Sequence, residues 1–162
     1  MSLLKLFVLV ATLATAVAAA GAARADDSPP WGPENPNFNL EVVLRPGTDD
    51  DGFGLVKFRQ PNDGSKIVYL DTWVRDLLPN TTYYLRRAVD TNADDNCTGT
   101  NWLTLGSITT DDRGTGRAAL SRNLAPVPSG QEFDIYFIIT ETPTSTVGVL
   151  ESACYQFVVE PD

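Results

Sequence analysis

Apolar and polar residues alternate with a period of two from residue 38 onward. Phe38, Leu40, Val42 and Leu44 share one side of the first such run, and mostly polar residues stand between them. Successive side chains of a strand point to opposite faces, whereas a helix repeats its apolar residues every three or four positions. The pattern therefore predicts strands, and no stretch of this part of the chain carries a convincing helical stripe.

Seven further runs of the same kind follow, separated by turn-forming residues. They cover residues 54–60, 66–75, 82–90, 102–109, 116–122, 132–140 and 147–160. Clusters of Pro, Gly, Asn and Asp lie between them, such as Pro61-Asn62-Asp63-Gly64, and these residue types reverse a chain. About eight short strands at this spacing are typical of a β-sandwich or a β-barrel.

The N-terminus differs from the rest of the chain. Lys5 precedes an apolar run, 6–20, and a small-x-small site, Ala23-Arg24-Ala25, follows it. This order predicts a signal peptide over 1–25, with Asp26 as the first residue of a secreted, extracytoplasmic protein. The alternative is a transmembrane anchor, which the many small residues of the run disfavour. Residues 26–37 then form a proline-rich arm, and 38–162 form the β domain.

The composition excludes several kinds of chemistry and of partner. The chain has no histidine, which rules out Ser-His-Asp catalysis and histidine-ligated metals. Its formal net charge is −9, and it falls to −11 without residues 1–25, which hold two cations and no acid. A protein this acidic is repelled by nucleic acid and by anionic membranes, and we therefore expect neither as a partner.

Two cysteines, Cys97 and Cys154, make one disulfide the natural interpretation for a secreted chain. Two free buried thiols are the alternative, and a redox pair would need a different spacing. Unbroken alternation through the last run directs Ala153 inward together with residues 155, 157 and 159. It directs Ser152 and Cys154 outward, so the bridge would fasten the loop of Cys97 to the outer face of that strand.

One local motif resembles a known family. The segment Leu78-Pro79-Asn80-Thr81-Thr82-Tyr83 resembles the L-x-P-x-T-x-Y corner of fibronectin type III and immunoglobulin-like domains. The resemblance covers about ten residues and implies a corner tyrosine, Tyr83, whose hydroxyl bonds to backbone upstream. It implies a single Greek-key β-sandwich of about eight antiparallel strands, as an immunoglobulin-like variant because four strands follow that of Tyr83. It implies no function.

Asp90, Asn92 and Asp94 have the oxygen spacing that begins a calcium-binding loop. The glycine expected next is Asp95, and the glutamate expected at the twelfth position is Asn101. A solvated turn is therefore the stronger interpretation, and we expect neither a metal nor another cofactor. Two N-glycosylation sequons, at Asn80 and Asn96, matter only in a host that glycosylates.

The strand predicted over 66–75 carries the candidate binding residues. Val68, Leu70 and Val74 share one face, which is the expected core face. The opposite face carries Tyr69, Asp71, Trp73 and Arg75. Flat aromatic rings beside a carboxylate can stack sugar rings and orient hydroxyl groups. Alternatively, the aromatic face is itself core, or the arm covers it at Trp31.

Three functions remain open at this stage. The first is a non-catalytic module that binds a glycan or a protein at the cell surface. The second is a small extracellular hydrolase with paired carboxylates, although nothing in the sequence pairs any two of them. The third is a structural component without a discrete ligand. We expect the first or the third, without catalytic residues.

Overall fold

The computed structural model describes residues 37–47 and 51–161, and within these ranges the chain forms strands and no helix. The nine strands are β1 (Asn37–Arg45), β2 (Phe53–Pro61), β3 (Ile67–Arg75), β4 (Thr82–Asp90), β5 (Leu103–Thr109), β6 (Gly116–Asn123), β7 (Glu132–Thr140), β8 (Leu150–Ser152) and β9 (Tyr155–Val158). The expected all-β class is confirmed. No described segment is a helix long and apolar enough to span a bilayer. The predicted signal peptide and nearly all of the predicted arm lie outside the described residues.

All strand pairs are antiparallel, and the sheet order is β5-β4-β7-β8-β1-β2-β3-β6. The two strands at the ends of this order, β5 and β6, approach each other. Thr110, directly after β5, pairs with Gly116, the first residue of β6, and Gly106 of β5 lies against the side chain of Leu120 on β6. The antiparallel sheet is therefore nearly closed into a barrel.

The last run of the sequence is one strand broken by an irregularity at Ala153 and Cys154. Its first part, β8, pairs with both β1 and β7, and its second part, β9, pairs with β7 alone. The register against β7 shifts by one residue between the two parts, as in a β-bulge. The shift reverses the faces, so the alternation expected for residues 152 and 153 is wrong. Ser152 is buried and Ala153 is exposed.

Apolar side chains from strands around the barrel fill its interior. Phe157 of β9 lies at the centre of an aromatic group, with ring centroids 4.6 Å from Phe58, 5.1 Å from Phe38 and 5.9 Å from Phe133. Edge-to-face and offset contacts of this kind stabilise beyond the area that they bury. Most of these positions belong to the inward sides that the period of two predicted.

The disulfide between Cys97 and Cys154 is present, as the sequence predicted, with 5.5 Å between the Cα atoms. It fastens the segment between β4 and β5 to the bulge between β8 and β9. Beneath this segment lies Asp134 of β7, which is fully buried and accepts hydrogen bonds from the backbone N–H groups of Asp94 and Asn96, each at 3.0 Å. A disulfide of this kind indicates an oxidising, extracytoplasmic compartment.

Candidate binding face

Strand β3 has one buried face and one outer face. Val68, Leu70 and Val74 are buried in the core, with at most 2 % of their surface exposed. On the opposite, outer face, Tyr69 and Trp73 are partly exposed and Asp71 and Arg75 are exposed. All four candidate residues thus lie in one row along the outside of the barrel, with about 13 Å from the first aromatic residue to the second.

Neighbouring strands extend this row sideways. Trp73 stands between Leu55 of β2 and Arg117 of β6. Asp71 stands between Lys57 and Ala119, and Tyr69 between Arg59 and Ser121. Adjacent strands are about 4.8 Å apart, so these side chains form one continuous surface across three strands.

Guanidinium groups lie over the aromatic rings of this surface. Arg45 of β1 and Arg75 of β3 lie 4.6 and 5.2 Å from the ring centroid of Phe53. Arg75 also lies 5.8 Å from the ring centroid of Trp73. The guanidinium of Arg59, on β2, lies 5.3 Å from the ring centroid of Tyr69. Cation–π contacts hold these long side chains in place without neutralising their charge.

We call this surface the cationic face. It comprises Phe53, Leu55, Tyr69, Asp71 and Trp73 with the cations Arg45, Lys57, Arg59, Arg75 and Arg117. These five cations are a large share of the 12 lysines and arginines of an acidic chain. Two exposed ion pairs, Lys57 with Glu41 at 3.8 Å and Arg75 with Asp76 at 3.5 Å, neutralise them only in part, because water screens such pairs.

A shallow depression of about 410 Å³ lies in the cationic face. The Trp73 indole forms one wall, Arg117 lies beside it, and Lys57 and Asp71 supply charges of opposite sign. The depression therefore offers an apolar ring, two cations and one hydrogen-bond acceptor to a single ligand group. The sequence predicted only the β3 part of it, because the register between strands decides which side chains stand beside Trp73.

The calcium candidates use their oxygens within the loop. Asp90 accepts from the backbone N–H of Asn92 at 3.0 Å and also from Thr98. Asp94 accepts from the N–H of Asn96 and from the side-chain amide of Asn92. These hydrogen bonds are of the kind by which Asp and Asn side chains hold a turn together. Among the described residues, no group of three or more Cys, Asp or Glu side chains could hold a metal ion.

Tyr83 lies at the start of β4 with 2 % of its surface exposed. Its hydroxyl accepts a hydrogen bond from the backbone N–H of Leu78 at 3.1 Å, and burial raises the pKa of the phenol above its ordinary value. This contact spans the turn that contains Asn80, one of the two sequon asparagines, which are both exposed. Tyr83 therefore fastens the turn to the barrel and lies away from the cationic face.

Two carboxylates, Glu41 and Asp71, line one depression at the edge of the cationic face, and the register places Lys57 between them. Both are exposed. Hydrolysis by paired carboxylates relies on unlike, partly buried surroundings that separate an acid from a base. An open pair around a cation lacks that separation.

Comparison of the chain with models of protein families, with curated proteins and with solved structures found no match.

Proposed function

We propose that this protein is a secreted, non-catalytic binding module whose cationic face recognises an acidic polysaccharide. The observation that carries the proposal is the grouping of Trp73, Asp71, Lys57 and Arg117 around one depression. Sugar rings present C–H groups that pack on an indole, and uronic acids add carboxylates that pair with guanidinium and ammonium groups. The disulfide between Cys97 and Cys154 supports a location outside the cytoplasm.

Asp71 favours a sugar over other polyanions. A carboxylate at the centre of the face repels the evenly spaced phosphates of nucleic acid or of a lipid surface. Acidic sugars differ because they carry hydroxyl donors beside their carboxylates. Asp71 can accept from a hydroxyl while the cations on the adjoining strands, Lys57 and Arg117, contact carboxylates.

The net charge of the chain does not prevent such binding. At physiological ionic strength, charges are screened beyond about 8 Å, so a ligand on the cationic face responds mainly to the cations there. Arg45, Arg59 and Arg75 are already ordered over aromatic rings, which reduces the entropy lost when they contact a ligand. We expect affinity to decrease as salt increases.

We infer also that the strands follow a Greek-key, immunoglobulin-like order with one added strand, β1. The sheet order contains two groups of four strands, β1-β2-β3-β6 and β5-β4-β7-β8. The chain passes between the groups from β3 to β4, from β5 to β6 and from β6 to β7. Repeated passage between two antiparallel layers supports this assignment. An experimental structure with the two groups packed about 10 Å apart, face to face, would agree with it.

Binding to a hexamer of galacturonic acid tests the proposed function. Isothermal titration with wild type, Trp73→Ala and Arg117→Gln should give weaker binding for both variants, by at least about fivefold each, since one stacking or ion contact contributes about 1 kcal/mol. Neutral cellohexaose should bind more weakly than the acidic hexamer. Val147→Ala is the matched control, because Val147 is 76 % exposed and lies outside the cationic face.

Equal affinities of wild type and Trp73→Ala would refute the assignment of the face, provided that both proteins unfold at the same urea concentration. Equal affinities for the acidic and the neutral hexamer would refute the proposed selectivity of the face for acidic sugars. A binding constant unchanged between 20 and 300 mM salt would also refute ionic contacts between the cations of the face and the ligand.

A further inference from the structure

A second site lies where the barrel fails to close. The end strands β5 and β6 approach at Thr110 and Gly116 and at Gly106 and Leu120, and no strand pairing of described residues continues beyond. A cavity of about 150 Å³ lies at this gap. It leads from the surface into the interior of the barrel and is separate from the cationic face, which lies on the outer surface.

The walls of the cavity are almost entirely apolar. Its inner part is formed by buried core residues, including Phe58, Phe137 and Phe157, and its rim by the partly exposed Leu105 and Leu124. A void of this size lined mostly by aliphatic and aromatic side chains can accept a benzene-sized apolar molecule, as an engineered cavity in another protein does.

Two arginines lie at the cavity. Arg87 occupies an inward position of β4, opposite Phe137 of β7, and Arg122 extends from β6 next to the gap. Among the described residues, Arg87 donates one hydrogen bond, to the backbone carbonyl oxygen of Asn101 at 3.5 Å, which is the limit for such a bond. Within residues 37–47 and 51–161, neither guanidinium forms an ion pair with a carboxylate.

This arrangement leaves positive charge uncompensated beside apolar surface. Burial, and to a smaller extent the charge of Arg122, lower the pKa of the Arg87 guanidinium below its ordinary value. The two effects are distinct, and both disfavour the charged form of Arg87: water is partly excluded from the group, and a like charge lies nearby. An anion between the two arginines would remove the repulsion and would supply the missing hydrogen-bond acceptors.

We propose that the gap between β5 and β6 binds a small amphipathic carboxylate, with its apolar group in the cavity and its carboxylate between Arg87 and Arg122. The volume limits the apolar group to about the size of a benzene ring or a short alkyl chain. The planar guanidinium groups match a carboxylate, which can accept two parallel hydrogen bonds from each. The ligand class is therefore that of arylalkanoic and short fatty acids.

Titration with 3-phenylpropionate tests this site, with affinity from calorimetry and location from backbone amide NMR shifts. Wild type should bind, with shifts concentrated at Leu105 and Leu124. Arg122→Gln should weaken binding at least fivefold, and it should fold because the side chain is exposed. Val89→Phe, which fills the cavity from β4 and leaves both arginines in place, should abolish binding. Arg113→Gln is the matched control, since Arg113 is an exposed arginine outside the cavity.

Ligand controls separate the two halves of the site. The neutral amide 3-phenylpropanamide should bind at least fivefold more weakly than the acid, and acetate should bind more weakly still because it leaves the cavity empty. Equal affinity of Arg122→Gln and Arg113→Gln would overturn the proposal. Acetate as tight as 3-phenylpropionate would also overturn it, as would NMR shifts away from the gap or no binding at 10 mM ligand.

Discussion

Removal of the disulfide by the double substitution Cys97→Ala and Cys154→Ala should destabilise the protein by about 4 kcal/mol. The two cysteines are 57 residues apart. Closing a loop of that length lowers the entropy of the unfolded chain by about 14 cal/mol/K in the chain-entropy relation, which is about 4 kcal/mol at 25 °C. The estimate concerns the unfolded state, so most of the barrel should remain folded in the variant.

Urea unfolding followed by tryptophan fluorescence measures this difference, because Trp73 and Trp102 report from different sides of the fold. The dependence of the unfolding free energy on urea should become steeper in the variant, since an unfolded chain without a cross-link exposes more surface. Reductant should lower the stability of wild type and leave the variant unchanged. A loss below about 1 kcal/mol, with an unchanged urea dependence, would refute the reasoning from loop entropy.

Three further perturbations test other parts of the fold. Tyr83→Phe should lower the unfolding free energy by about 1 kcal/mol in urea titrations, because the N–H of Leu78 loses its acceptor; an unchanged midpoint would contradict this. Gly114 and Gly64 share a φ of 74°, but a Cβ at Gly114 would collide with a backbone carbonyl and one at Gly64 would meet nothing within 4 Å. Gly64→Ala should therefore destabilise by about 1 kcal/mol and Gly114→Ala by at least about 3 kcal/mol, and equal melting temperatures would count against the packing argument. The backbone N–H groups of Thr115 and Arg113 donate to the Asp111 carboxyl and lower its pKa. The stabilisation from this carboxylate is therefore present above its ordinary pKa, near 3.8, and is lost as the pH falls through the lower pKa of the folded protein. Asp111→Asn should reduce the loss of stability between pH 4 and pH 2, measured by urea midpoints, and identical pH profiles would exclude that role.

The positions of the strands were predictable because each has one buried face. The run expected over 132–140 coincides with β7, and the run over 66–75 differs from β3 by one residue at its start. The period of two also separated Val68 from Trp73 correctly, since a half-buried strand fixes which side its apolar residues occupy.

The sequence could not predict features that depend on pairing between strands. The bulge at Ala153 leaves the apolar pattern of the last run almost continuous, so alternation gave the wrong face for Ser152. Likewise, Arg117 stands next to Trp73 only because β6 pairs with β3 in one particular register. No local residue preference encodes that neighbour, and the gap that brings Arg87 near Arg122 is equally non-local.

The double pairing of the last strand has a consequence for how the chain is made. Leu44 of β1 finds its partner Ser152 only after the 107 residues between them have been synthesised. Until then, β1 and β7 each expose an edge with unused N–H and C=O groups, which are templates for pairing with other chains. A chain cut after Thr140 by a protease, or by premature termination, would keep both edges open and would be prone to aggregate.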